Sequence, residues 1–436
     1  MTPEQMMALG TAFAAYLRLF ADCFGQARTA EHLHSYCRGL LSDLPRKSME
    51  PIALACGTAV RTLQEFLRDH VWDHFRMRDQ FQKRLALTPP SKAIDEDELG
   101  TIGVIDETSV AKKGTKTPGV RRQWCGALGK LDNCIVTVHL GIVRDRFKTL
   151  VDGDLFLPKV WSEDRERCRK AAIPDDVVYR PKWRIALEQL DRAAANGLTL
   201  NWLTFDEYYG SKPGFLENLD ARPGMYYVGE IPRNFRCLAV RPRGKRPKGG
   251  WKGKRADNLA RFSSAWNQRD WKGVSLSRLT LDNQEWEVRA GQVYLVRRGE
   301  VLDRTHWLIV ARNVATGEVK YFISNAPADT PVEKLLRVAF CRWNVEHAFR
   351  VAKTEIGFGH FEGRSYVALM RHMIMCLVVM GFVAEHTDRL RGEKSGDNDG
   401  TGLPSVERTL PDMAEESPGD DAISVHGRGH RLSPAA

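Results

Sequence analysis

The stretch from Pro331 to Phe358, PVEKLLRVAFCRWNVEHAFRVAKTEIGF, constrains this chain more than any other. Apolar residues recur every three or four positions, and no Gly or Pro interrupts them before Gly357, so the pattern predicts one long helix. Arg342, Glu346, Arg350 and Lys353 stand at i, i+4, i+8 and i+11 and share one face of it. A carboxylate among three cations is ordinarily an exposed ion-pair stripe. The same arrangement also suits a metal-binding glutamate whose cationic neighbours hold phosphates. The rest of the chain has to decide between the two.

Composition narrows the choice. The chain of 436 residues carries a formal net charge of +10, enough length for two or three domains and a bias toward polyanionic partners. The charge is uneven: residues 391–436 hold five basic and nine acidic residues, net −4, which leaves +14 on residues 1–390. Nine scattered cysteines form no CxxC pair, which argues against a zinc site; their odd number and the lack of a signal peptide point to a reducing, cytoplasmic setting. The most apolar run, Met373 to Ala384, falls short of the roughly 20 residues a bilayer needs. It reads as a buried core helix, and no membrane partner is expected.

Residues 1–92 read as helices throughout: an amphipathic run after Thr2-Pro3-Glu4, a second over Ala30 to Leu41, a third from Ser48 and a fourth over Arg61 to Leu85. Their scattered cations fit a DNA-binding helical domain and an ordinary bundle about equally well, since no helix-turn-helix signature is sharp. Pro89-Pro90-Ser91 and the acidic Asp95–Glu98 mark a linker. From Thr101 strands take over: TIGVIDET, then WCGALGKL and NCIVTVHLGIV, a loop to about Arg180, a helix over Pro181 to Asn196, the strand LTLNWLTF and the strand MYYVGEIP. This texture predicts an α/β domain with a mixed sheet over residues 100–240 and 305–388. Residues 241–304 interrupt it with a β-rich insertion. Between Arg241 and Arg255 stand eight Lys or Arg and no acid, Arg243, Lys245, Arg246 and Lys248 among them, which reads as a disordered basic loop, a phosphate-contacting arm, or both. The Gly-, Asp-, Glu- and Pro-rich tail, 389–436, is expected to be disordered.

Three carboxylates draw attention. Asp106 ends the first strand, Asp206 ends a later one, and Glu346 lies mid-helix. Two strand-borne aspartates and a helical glutamate offer hard oxygen ligands that suit Mg²⁺ or Mn²⁺. Two such ions activate a water or 3′-hydroxyl for phosphodiester displacement. Glu107 and Glu207 adjoin the aspartates, and alternation across a strand lets only one of each pair face the site. Spacing leaves open which one does. The cations Lys112, Lys113, Lys116, Arg121 and Arg122 follow Asp106 closely and either line a DNA strand or form a solvated hairpin tip.

Arg342-x3-Glu346-x6-Lys353 has the R-(3)-E-(6)-K spacing of the insertion-sequence DDE transposases known for a Y-R-E-K signature. GVIDETSVAKKG followed by RRQWCGALGKLDNCIVTVHLG resembles the first-aspartate region of one branch of that group. LTFDEYYG resembles its second-aspartate strand, and GHFEGRSYVALMRHM, LPRKSMEPIA and LQEFLRDHVWDH resemble its flanking segments. The resemblance spans roughly residues 35–385. It implies a ribonuclease-H-like core with a β-rich insertion, selects Asp106, Asp206 and Glu346 as ligands of two Mg²⁺ ions (Mn²⁺ substituting), and puts Arg342 and Lys353 against DNA phosphates. It further implies a homodimeric synaptic complex on double-stranded DNA in a bacterial, nucleoid-associated setting. Relatives hold a flipped base on a tryptophan of the insertion; Trp251, Trp266, Trp271 and Trp286 are candidates here, Trp271 foremost, although packing into the insertion's core is the commoner role for each. Two departures stand out: Ala339 occupies the signature tyrosine position, with Phe340 beside it, and Tyr208 replaces a residue often small.

The leading expectation is a transposase that cleaves DNA at inverted repeats and joins 3′ ends to a target. The alternatives are a domesticated, catalytically silent DNA-binding regulator and a ribonuclease-H-like endonuclease without strand transfer.

Overall fold

The computed structural model describes residues 3–88, 99–145, 147–267, 269–275 and 285–394. The expected linker around Pro89 and Asp95–Glu98 and the tail beyond Lys394 lie outside the described residues. Five helices come first: α1 Pro3–Arg18, α2 Ala27–Leu41, α3 Met49–Ala55, α4 Val60–Arg68 and α5 His74–Leu87. The helix expected over Arg61 to Leu85 is therefore two. Asp73 ends the continuity by accepting a hydrogen bond from the Arg76 N–H (2.9 Å) as the N-cap of α5, while the Trp72 indole donates to the Phe66 carbonyl (2.9 Å). Val71, in the intervening turn, is 91% exposed.

The elements of the mixed α/β part follow in order: β1 Ile102–Ala111, β2 Arg121–Cys125, β3 Lys130–Arg144, β4 Phe147–Leu155, α6 Lys159–Ser162, α7 Arg165–Lys170, α8 Lys182–Ala195, β5 Trp202–Phe205, α9 Glu207–Gly210, α10 Pro213–Asp220 and β6 Tyr226–Glu230. Next come β7 Arg236–Leu238, β8 Lys254–Arg255, α11 Ala256–Phe262, α12 Ser264–Asn267, β9 Lys272–Ser275, β10 Glu285–Arg297, β11 Glu300–Asn313 and β12 Val319–Ser324. Helices α13 Val332–Phe340, α14 Trp343–Thr354 and α15 Tyr366–Lys394 complete the described chain.

The strands form one mixed sheet in the order β2-β3-β1-β5-β6-β12-β11-β10-β7-β8, with β4 also on β3 and β9 on β10. Strand β3 runs antiparallel to β4 on one side and β1 on the other, β5 and β6 run parallel to β1, and β12 returns antiparallel. The insertion is thus a continuation of the sheet: the long β10–β11 hairpin pairs through β11 with β12. Strand β4 falls where a loop was expected. Its FKTLVDGDL sequence carries two buried aspartates, and both are paired with Arg192 of α8.

Helix α15 is the hub. Its Tyr366–Thr387 portion is long and apolar enough to cross a membrane, yet 83% of its most apolar window is buried inside the protein. It packs between β4 and helices α2, α4 and α5, so the N-terminal helices and the sheet share one continuous core. All nine cysteines are free thiols.

The helix expected over Pro331 to Phe358 is also two, offset at Cys341–Arg342. No helix breaker stands there. Phe340 is held in an aromatic cluster with Trp286 (4.8 Å), Trp343 (4.9 Å) and Phe322 (5.9 Å), while the ladder tightens to a long Arg342 N–H to Ala339 carbonyl bond of 3.4 Å.

Candidate active site

Parallel strands β1 and β5 stay in register from Ile102↔Trp202 to Ile105↔Phe205, so Asp106 and Asp206 follow side by side where the pairing ends. Strand β6 ends one position further across the sheet in Glu230, paired with Lys320 (3.1 Å). Asp206 caps α9 by accepting from the Tyr209 N–H (3.3 Å). Gly210 lets that turn close onto β6: a Cβ there would lie 1.9 Å from the Glu230 carbonyl oxygen.

Asp106 is buried and accepts the Glu107 N–H (2.7 Å) and a long bond from Arg342 Nη1 (3.4 Å). Burial pushes its carboxyl up to about 7; Arg342 opposes this and Asp206 adds to it. Burial raises Asp206 as well, against its capping bond. Arg342 also pairs with Glu346 (3.2 Å), whose side chain is 57% exposed. Asp106, Glu346, Glu230 and Asp206 together hold the Arg342 guanidinium in its charged form against burial. Arg342 is therefore the cation around which these carboxylates gather.

The neighbouring acids are engaged elsewhere. Glu107 pairs with Lys182 of α8 and accepts from the Tyr209 hydroxyl (3.4 Å), while Glu207 is exposed on α9. Glu230, Lys182 and Tyr209 were missed in the sequence. For Glu230 the signal existed: MYYVGEIP repeats the grammar of a strand that ends in acid.

The predicted cations divide. Lys353 is partly buried, its ammonium pKa lowered by burial despite Asp106 and Cys125 nearby. Lys112 turns inward and donates to the Gly359 (3.3 Å) and Phe361 carbonyls; burial takes its pKa down to about 8. Lys113, Arg121 and Arg122 are exposed on the β1–β2 connection and β2. Arg243, Lys245, Arg246 and Lys248 are exposed in the insertion, Arg246 paired with Glu300. Arg350 is exposed and bonds His347 (3.1 Å). Trp266 and Trp286 are buried, Trp251 is half-buried, and Trp271 is half-buried between the guanidinium groups of Arg289 and Arg312, each 4.6 Å from its ring. Ala339, at the signature tyrosine position, is buried, its carbonyl accepting from Thr204 of β5 (3.4 Å).

Hard oxygen donors side by side on β1 and just past the end of β5, both with carboxyls raised chiefly by burial, fit a divalent metal. Among the described residues no three His, Cys, Asp or Glu side chains already form a metal-binding group, and Glu346 is paired with Arg342.

The family model described as "DDE superfamily endonuclease" matches residues 19–292, a span that includes Asp106 and Asp206 and ends before Glu346. A probable transposase for insertion sequence element IS701 from Microchaete diplosiphon is 25% identical over 369 residues, 83% of this chain and 85% of that protein. The NurA nuclease from Sulfolobus solfataricus aligns over 67% of this chain and 85% of its own at 10% identity, with a TM-score of 0.22, too low to support an argument about fold. With well over half of its length matched, the chain belongs to the DDE superfamily of endonucleases.

Proposed function

We propose that the protein is the transposase of an insertion sequence. It binds the inverted repeats at the element's ends as a homodimer, cleaves their phosphodiester bonds and joins the 3′ ends to target DNA. The observation that carries this reading is the meeting of Asp106, Asp206 and the Arg342–Glu346 pair at one sheet edge. The strand order β4-β3-β1-β5-β6, three antiparallel then two parallel, supports a ribonuclease-H-like core. On this reading the first 92 residues form a helical DNA-binding region, 241–304 the basic insertion, and the cytoplasmic nucleoid is the workplace.

Asp106 and Asp206 would hold Mg²⁺, with Glu346 as third ligand after its exposed side chain turns from Arg342. Two such ions, when bound, supply an activated water or 3′-hydroxyl and stabilise the leaving oxygen. The remaining work belongs to the chain. Arg342, released from Asp106 and Glu346, is placed to grip a phosphate bidentately. Lys353, Lys113, Arg121 and Arg122 neutralise the backbone beside it. Lys112 reaches DNA only by letting go of the Gly359 and Phe361 carbonyls. The arginines and lysines of the 241–255 arm extend the footprint, and Trp271 would take an extruded base only by giving up one of the guanidinium groups against its ring.

Incubating the protein with Mg²⁺ and DNA bearing the element's own ends tests the reading. Wild type should cut and join, and Asp106→Ala should lose at least a thousandfold in rate. Equal cleavage by the variant sinks the assignment.

A further inference from the structure

Trp124 and Leu131 are direct cross-strand partners on the β2–β3 hairpin, yet they are 61% and 59% exposed, and Leu128 in the turn between them is 47% exposed. Single exposed apolar residues are ordinary. Here three converge on one hairpin tip whose opposite face is well packed: Cys125, Cys134 and Val136 form a small buried cluster against Phe156. The hairpin is therefore anchored from below and presents its apolar pair outward. Arg122, two residues from Trp124, shares that outer face and is also exposed.

Charge identifies the occupant. From Thr108 to Leu131 there are six basic residues and no acid. Strand β2 ends the sheet's order, and edge strands bearing arginines resist pairing with another copy. Apolar wedges and aromatic rings set among cations are the furniture of proteins that unstack or hold nucleobases.

Position agrees. The hairpin curls back over β1, where the Ala127 N–H donates to Ser109 Oγ (3.2 Å). Ser109 lies three residues beyond Asp106, on the order of 10 Å along the strand. Lys353 has both Asp106 and Cys125, where the hairpin turns, among its neighbours. The turn that joins the two apolar partners thus reaches back to within three residues of Asp106 on β1.

We propose that the outer face of this hairpin is a docking surface for opened DNA: Trp124 stacks on a base that has left its pair, and Leu131 fills the gap beside it. The proposal rests on DNA being the substrate of the neighbouring carboxylates. It adds a specific element, outside the basic insertion, that favours distorted over fully paired DNA near the cleavage point.

The test uses the full chain in EDTA and two labelled 30-base-pair duplexes, one fully paired and one with a central two-nucleotide mismatch bubble. Fluorescence anisotropy should show wild type preferring the bubble by about tenfold. Trp124→Ala should erase most of that preference while changing affinity for the paired duplex less than about threefold, and Trp124→Phe should restore it. Arg122→Gln should weaken both duplexes alike. Equal losses on both duplexes with Trp124→Ala, or no loss on either, overturns the proposal. So does a change in oligomeric state by light scattering with the bubble preference intact, which would make the pair a contact between copies. If wild type binds neither duplex, the reading of the carboxylates as a DNA-cleaving site falls with it.

Discussion

Strand β3 carries a buried aspartate on each flank, and the two have opposite characters. Asp152 of β4 faces Leu140, and Asp106 of β1 faces its neighbour His139. Both meet an arginine. Asp152 receives Arg192 through two nitrogens (3.0 and 3.1 Å), Gln82 Nε2 (3.1 Å) and the Gly153 N–H (2.8 Å), while Asp154 takes up the rest of the guanidinium. Burial pushes the Asp152 carboxyl up and Arg192 pulls it back; Arg192 itself is held far above its ordinary value. Asp106 has one short bond, one long one, and Asp206 as a like-charged neighbour. A closed network of this kind fastens β4 to α8 and leaves no lone pair to spare. The open one keeps acceptors available. Acid, arginine and burial occur in both, so it is the unfilled coordination that separates a candidate site from a structural clasp.

The sharpest way to break this comparison is to remove each aspartate. Asp152→Ala leaves Arg192 partly uncompensated in the core and should cost about 3–5 kcal/mol. Asp106→Asn removes a poorly compensated charge and should stabilise the metal-free protein by about 1–2 kcal/mol, the usual trade between stability and function. Urea midpoints of the two variants should move in opposite directions. A loss for both would mean that Asp106 is a clasp too.

That difference was only half visible in the sequence. The acids of TIGVIDET and LTFDEYYG are local patterns: Asp206 does follow the end of β5, whereas β1 runs on past Asp106 to Ala111, so Asp106 is a mid-strand residue and not the strand end expected. Strand β4 was hidden because Asp152 and Asp154 make FKTLVDGDL look like a loop, and the Arg192 that permits their burial stands about 40 residues later. The offset at Cys341–Arg342 was equally hidden: Phe340 is fixed by Trp286 and Phe322, and no periodicity reports such contacts. Lys112 looked like a DNA contact, but its carbonyl partners are nearly 250 positions away. Asp73, by contrast, was a legible helix cap, overlooked because Trp72 and Phe75 prolong an apolar rhythm across it.

The pH response sharpens the comparison with a somewhat smaller effect. With its carboxyl raised to about 7, Asp106 binds a proton in the folded chain that it has released in the unfolded one between roughly pH 4 and 7. Folding stability must then fall as pH rises through that window and level off above about 7, losing at most about 1.4 kcal/mol for each pH step of one within it. Below about 4 both states are protonated and the contribution vanishes. Metal-free wild type should be less stable at pH 8 than at pH 5, and Asp106→Asn should remove much of that difference. A wild-type slope unchanged by the substitution would assign it to other groups.

The smallest predicted effect concerns the arginine on the open side. Arg342 holds Asp106 at 3.4 Å and Glu346 at 3.2 Å, so the free chain satisfies part of its carboxylate charge internally. Any divalent cation binding these oxygens must displace that guanidinium, and the two cations compete. Arg342→Gln removes the competitor while preserving length and one donor. Its affinity for Mn²⁺ in the absence of DNA, read by calorimetry, should rise by about tenfold, equivalent to about 1.4 kcal/mol. Arg192 offers the control: in Arg192→Gln the Asp152 oxygens still accept from Gln82 and the Gly153 N–H, so the variant should lose stability without creating a Mn²⁺ site. An unchanged Mn²⁺ affinity in Arg342→Gln would mean that Arg342 fastens α14 to β1 just as Arg192 fastens α8 to β4, and the distinction between the two sides of β3 would collapse.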